Sequence, residues 1–220
     1  MADPNDLFFD ENSELNITHR NLPHWKQGGK LYFITWRQAD SLPQEQLQEL
    51  RMERAAWLNR HGKKTVQDLP APFRNEYPRI FHHRVQTWLD AGYGSCVLLR
   101  AEAREIMISA FHHFKGQRYR LGSFVVAGNH VHVLVAPGPG VDVSSVLHAW
   151  KSFTSNAINK AIGRIGPLWM DESYDRLVRD PGHLERIETY MDGHIQQGAY
   201  VERIDLMGTM GEVHPLAGSR

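Results

Sequence analysis

Residues 118–137, RYRLGSFVVA followed by GNHVHVLVAP, constrain the fold more than any other stretch of the chain. Two runs rich in β-branched and aromatic residues flank Gly128-Asn129, a dipeptide suited to a tight reversal, so the segment predicts a β-hairpin. Side chains alternate along a strand, which puts His130, His132 and Leu134 on one face and Val131, Val133 and Val135 on the other. Two imidazoles side by side can chelate one divalent cation if their rings converge, and a firm site needs a third ligand. The ordinary alternative is two half-exposed histidines hydrogen-bonded to neighbours. With 13 histidines in the chain, chance pairs are expected, and His82-His83 and His112-His113 read as such.

The rest of the chain supplies helices and further strands around this hairpin. LYFITWR (31–37) follows Gly-Gly and reads as a strand. SLPQEQLQELRMERAAWLNRHG predicts a helix with Ser41 and Gln44 as start signals, Leu47, Leu50, Trp57 and Leu58 on one side, and Gly62 as the stop. KKTVQDLPAPFRNEYP, with three prolines, reads as a loop. Helices are predicted over 79–91 and 101–114, with a short strand over 95–99 between them. From Val143 the positions Val146, Leu147, Trp150, Ala157, Ile158 and Ala161 keep a helical repeat up to Gly163. PLWMDESYDRLVRD looks extended or hairpin-like. Asp180-Pro181 then opens a last helix with Leu184, Ile187, Met191 and Ile195 as its apolar stripe and Gly198 as its stop.

The elements interleave as an α+β fold with a mainly antiparallel central sheet flanked by helices. Residues 1–30 read as an irregular lead-in, 31–200 as one domain with a helical and loop insertion at about 40–80, and 201–220 as a weakly patterned tail. A length of 220 residues suits a single core, and 41% hydrophobic with 23% charged residues is an ordinary globular composition. No apolar run approaches the ~20 residues that cross a bilayer, and the acidic N-terminus lacks the layout of a signal peptide, so a cytoplasmic protein is expected. Cys96 is the one cysteine, which excludes an internal disulfide and a cysteine-based zinc cage; GSCVLLR makes it a buried strand residue.

Formal net charge is zero, but its distribution is uneven. Residues 1–16 hold Asp3, Asp6, Asp10, Glu11 and Glu14 and no base, whereas residues 106–170 hold Lys115, Arg118, Arg120, Lys151, Lys160 and Arg164 against Asp142 alone. Such asymmetry is compatible with a phosphate-facing surface under an acidic tail, and equally with a solvated face.

In RIETYMDGHIQQGAY, Tyr190 and His194 are four apart and share a helical face beside the apolar stripe. A tyrosine at a core edge is usually a packing residue; here a further potential metal ligand lies one turn away.

Taken together, THRNLPHW, YFITWRQADSLP, GNHVHVLVAP, LHAWKSFTSNAIN, LWMDESYDRLVRD and HLERIETYMDGHIQQGAYV occur in the order found in single-tyrosine HUH transposases. The stretch from about 17 to 200 resembles that family, and within it the REP-associated tyrosine transposase group. The resemblance implies a ferredoxin-like core, His130 and His132 as metal ligands, Tyr190 as the nucleophile, and His194 at the third-ligand position, where relatives usually carry Asn or Gln. Gly128 stands where relatives often have Pro, as does Ile195. The implied activity is cleavage and rejoining of single-stranded DNA, beside hairpins, through a 5′-phosphotyrosine with Mg²⁺ or Mn²⁺, by a monomer or homodimer. Lys115, Arg118, Arg120, Lys151, Arg176 and Arg179 are candidates for phosphate contacts, and Trp150, Trp169 or Tyr174 for base stacking, although Trp150 sits on an apolar stripe. Tyr174 is the rival nucleophile by residue type.

Two other classes compete. One is a domesticated protein that binds hairpin DNA without cutting it. The other is a hydrolytic metalloenzyme using a water, which would want a carboxylate base near the metal; Glu188 and Asp192 are close in sequence.

Overall fold

A computed structural model describes residues 4–19 and 23–206. Five strands form one antiparallel sheet: β3 (Tyr32–Gln38), β4 (Tyr119–Val126), β5 (His130–Pro137), β6 (Trp169–Leu177) and β7 (Tyr200–Glu202), in the spatial order β6-β3-β5-β4-β7. Helix α4 (Ala101–His113) connects β3 to β4 and α5 (Val143–Ile162) connects β5 to β6. The resulting β-α-β-β-α-β path with order β6-β3-β5-β4 is the ferredoxin-like arrangement, α+β as expected.

The hairpin forms as its sequence predicts, Val126 pairing with Val131 across the turn. Its alternation divides the core. Val131, Val133 and Val135 join Ile34, Trp36 and Phe124 under Met107 and Phe111 of α4 and Val146, Trp150 and Ile158 of α5. Leu134 and Val125, with Phe33 of β3, lie on the opposite face under Leu184, Ile187 and Met191 of α6 (Pro181–Gly193). Between Leu121 and Phe124 the ladder slips by a bulge, which lets two residues three apart both face α4 and α5. Gly122 sits there because a Cβ would come within 2.9 Å of the Leu134 Cβ.

Between β3 and α4 the chain inserts α1 (Gln44–Arg60), α2 (Ala71–Tyr77), a wider turn over Pro78–His82 and α3 (His83–Asp90). The inserted helices pack on each other through Leu50, Trp57, Leu69, Tyr77 and Phe81, while Leu89 of α3 meets Leu42 and Leu47.

Several expectations are corrected. The lead-in is not irregular throughout: β1 (Asn16–His19) pairs with β2 (Pro23–Lys26), and Leu7 and Phe8 are buried in the α6-side core. Helix α1 starts after Pro43 with no side-chain cap, because Ser41 is buried and accepts a hydrogen bond from Arg37 instead. The proline-rich stretch forms α2, where Pro72 falls in the first turn and loses no intrahelical hydrogen bond. Residues 97–99 make a 3₁₀ turn and not a strand. Gln38 Oε1 accepts from Val97 N–H, Gly128 carbonyl accepts from Leu98 N–H, and Cys96 is a half-buried turn residue at φ 46°. Of the two readings of 167–180 the extended one holds, with the single strand β6 over Trp169–Leu177. Helix α6 ends at Gly193 and tightens into a 3₁₀ turn, so Ile195 leaves the apolar stripe for solvent. Strand β7 was not foreseen. Of the expected C-terminal tail, residues 207–220 lie outside the described residues, as does Asp3 of the acidic N-terminus. Among the described residues no helix is long and apolar enough to cross a membrane.

Candidate metal centre

His130 and His132 project from β5 toward α6, and His194, at the first residue beyond α6, turns back to meet them. All three side chains are buried, and their ligand atoms lie within 4.8 Å of one another. Helix α6 can deliver His194 because Asp180 caps its start, accepting from His183 N–H at 2.7 Å, and because its apolar stripe anchors it on Leu134 and Phe33.

Each ring is oriented from behind. Asn129 Nδ2 donates to the Tyr93 carbonyl at 2.8 Å, which leaves Asn129 Oδ1 facing His130 Nδ1 at 2.7 Å. His194 Nδ1 lies 3.1 Å from the Tyr190 carbonyl, which can only accept. His132 Nδ1 meets Thr35 Oγ1 at 2.7 Å. When neutral, His130 and His194 therefore carry the proton on Nδ1 and turn the Nε2 lone pair inward, the tautomer that metal-binding histidines take when their other nitrogen is held by an oxygen, whereas the Thr35 hydroxyl can donate or accept and fixes no tautomer for His132. Burial, with His194 nearby, pushes His130 down to about 3, so that ring is neutral.

The Nε2 atoms of His130 and His194 are 3.4 Å apart. Two lone pairs at that distance with no proton between them are poorly matched to each other and well matched to a shared cation. The donor set of three imidazole nitrogens fits a divalent transition metal better than a hard oxygen-seeking ion.

Tyr190 completes the cluster. Its hydroxyl lies 3.3 Å from His132 Nε2, and its ring stands edge-on to Phe33, which stacks on His132. Burial, and secondarily Asp90, raises the Tyr190 hydroxyl above the ordinary tyrosine range. Tyr174 shares this face of the sheet, opposite Thr35, which is itself opposite His132. Two strand spacings, roughly 10 Å, thus separate it from that histidine.

The six basic candidates are scattered. Arg176 lies over the Phe33 ring at 6.0 Å, and Phe33 stacks on His132; Arg179 lies instead by His183, in the first turn of α6. Lys151 is held elsewhere, its ammonium donating to the carbonyls of Met170 and Asp171. Lys115, Arg118 and Arg120 lie at the far end of the hairpin, where Tyr119 pairs with Pro137. Arg118 donates to Ser145 and Arg120 to the Leu206 carbonyl. Trp150 and Trp169 are core residues, Trp150 donating to Tyr119 Oη and Trp169 to Thr154 Oγ1. Neither is available for base stacking.

The two carboxylates near Tyr190 in sequence do not serve the cluster. Glu188 and Asp192 are both bound to Arg203, and Glu188 also accepts from Ser123. The carboxylate that does approach is Asp90, the last residue of α3, with Oδ1 3.4 Å from His194 Nε2 and 3.8 Å from His130 Nε2. No periodicity or motif in the sequence marks it. The oxygen partners Asn129 and Thr35 also went unrecognised, although one precedes His130 directly and the other sits in a predicted strand.

The ferredoxin-like sheet thus carries a histidine pair on one strand, facing a tyrosine and a third histidine one helical turn apart. Residues 98–193 match the family of transposases described as IS200-like. That segment contains His130, His132 and Tyr190, and His194 is the next residue. The matched residues make up less than half of the chain and carry all of the cluster except His194. Among solved structures, the chain is similar to a REP-associated tyrosine transposase bound to a REP hairpin (12% identity, 82% of this chain and 74% of that one, TM-score 0.42). It is also similar to a transposase candidate from Deinococcus radiodurans R1 (13% identity, 74% and 88%, TM-score 0.31). No curated protein matches the chain.

Proposed function

We propose that this protein cleaves and rejoins single-stranded DNA beside hairpins through a covalent link to Tyr190. The observation that carries the reading is the 3.3 Å contact between Tyr190 Oη and His132 Nε2 at the edge of the three-imidazole cluster, within a segment that matches IS200-like transposases.

His130, His132 and His194 would hold a divalent cation, whose contribution is to polarise a non-bridging oxygen of the scissile phosphate. Tyr190 is a weak nucleophile on its own, its hydroxyl raised further by burial. Its role is to attack phosphorus in line: the Tyr190 O–P bond forms, the P–O3′ bond breaks, and the departing oxygen takes up a proton to become a 3′-hydroxyl. A second 3′-hydroxyl can then attack the phosphotyrosine and release Tyr190, so the bond energy is retained without ATP. Phe33 meets the tyrosine ring edge-on and so limits its rotation. Arg176, beside Phe33, and Arg179, by the start of α6, suit the backbone of the bound strand.

Labelled hairpin oligonucleotides from the DNA flanking the gene, incubated with protein and Mn²⁺ or Mg²⁺ and run on a denaturing gel, test this. A metal-dependent adduct absent from Tyr190→Phe supports strand transfer. Retardation on a native gel without any adduct would leave the DNA-binding reading in its place.

A further inference from the structure

We propose that Asp90, delivered by the inserted helix α3, is a fourth ligand of the metal held by His130, His132 and His194; this rests on the metal reading above. Its Oδ1 is buried, accepts no hydrogen bond, and points between the Nε2 atoms of His194 and His130 at 3.4 and 3.8 Å.

The distances are informative because ligand atoms bound to one cation at about 2.1 Å stand roughly 3.0–3.4 Å apart along an octahedral or tetrahedral edge. Asp90 Oδ1 and the two Nε2 atoms are at or slightly beyond that spacing, and longer than a charge-assisted hydrogen bond of about 2.8 Å. With the Nδ1 positions of His130 and His194 held by Asn129 and the Tyr190 carbonyl, their Nε2 atoms offer lone pairs. A buried carboxylate oxygen aimed at two lone pairs is unfavourable in isolation and is satisfied by a cation at their common centre.

The placement of Asp90 is built into the fold. Leu89 beside it is anchored on Leu42 and Leu47. The chain then reverses through Gly92 at φ 74°. Tyr93, next in line, accepts through its carbonyl from the Asn129 that orients His130. Two residues later, Ser95 N–H donates to Asp40 at 3.0 Å. The loop after α3 and the histidine hairpin are thus tied by hydrogen bonds, so an insertion that ends just before the family-matched segment finishes the site. Three imidazoles and one carboxylate would leave the cation little need for water ligands except where substrate enters, and would favour Mn²⁺ or Co²⁺ over Mg²⁺.

The test uses the full chain, stripped with a chelator and titrated with Co²⁺ by visible absorption and with Mn²⁺ by calorimetry. Wild type, Asp90→Asn, Asp90→Ala and His130→Ala are compared, and the Asn variant keeps side-chain shape if the Ala variant does not fold. The proposal expects one Co²⁺ per wild-type chain, binding at least tenfold weaker in both Asp90 variants, and an altered d–d band that reports the lost oxygen ligand. Asp90 variants that bind within twofold of wild type with an unchanged band would overturn the proposal while leaving the three-histidine site intact. A wild type that binds no more Co²⁺ than His130→Ala would overturn the metal reading itself, and Asp90 with it.

Discussion

His130 Nε2 and His194 Nε2 face each other at 3.4 Å, and the hydrogen bonds behind the two rings put both protons on the far side. A strand and a helix terminus more than sixty residues apart in sequence thereby present two lone pairs to one point. The folded protein should consequently bind a divalent transition metal and be stabilised by it. Free Mn²⁺ at a hundred times its Kd would add about 2.7 kcal/mol. For a chain of this size that raises Tm by roughly 5–10 °C. A chelator should reverse the shift and His194→Ala should abolish it, as scanning calorimetry would show; an unchanged Tm at saturating Mn²⁺ and Co²⁺ would count against the centre.

Asn129 acts on the metal only through His130. Replacing Asn129 by Ala removes the acceptor at His130 Nδ1 and frees the ring tautomer, so Mn²⁺ affinity should drop by about 10–100-fold, as measured by calorimetry.

Tyr174 lies on the sheet face that α6 covers, two strand spacings from His132, whereas Tyr190 Oη is 3.3 Å from His132 Nε2. Tyr190→Phe should eliminate the covalent DNA adduct and leave Mn²⁺ affinity within about threefold, since no ligand atom is lost. Tyr174→Phe should retain the adduct, and its loss there would transfer the nucleophile's role.

Salt dependence separates the basic residues by position. Arg176→Ala and Arg179→Ala should each flatten the slope of log affinity for single-stranded DNA against log salt by about 0.7. Lys151→Ala should leave the slope unchanged, since that ammonium is occupied by two carbonyls. Equal effects of all three would mean the strand follows another path.

His183 gives a pH dependence with a definite sign. Burial, with Arg176 and Arg186 nearby, lowers it from 6.5 to about 4, and its Nδ1 accepts from Arg179 N–H, so the folded chain holds it neutral. Between about pH 6.5 and 4 the unfolded chain binds the extra proton, so stability is full above pH 6.5 and falls as pH drops through that window. Urea midpoints measured from pH 7.5 to 4 should show a shallower decline for His183→Gln than for wild type.

The alternation of GNHVHVLVAP was sufficient to put His130 and His132 on one face, because the period of a strand is two whatever surrounds it. The four-residue spacing of Tyr190 and His194 likewise put them on one helical face, and the apolar stripe of α6 stated which side would be buried. Local geometry determines such relations, and they survived intact. Local signals misled where a partner distant in sequence outbid them. Ser41 abandoned its capping role for Arg37, Cys96 entered a left-handed turn because Gln38 and Gly128 hold the residues after it, and Ile195 left its stripe when α6 tightened to bring His194 inward. Strand β7 has only three residues, Tyr200–Glu202, and it exists because β4 offers an edge to pair with. What only the tertiary structure decided is that α6 lies over the histidine face and that α3 ends beside it with Asp90. The sequence by itself determined which side chains travel together on each element, through the repeat of strand and helix; which elements meet depends on packing between residues tens of positions apart, and no local period encodes that.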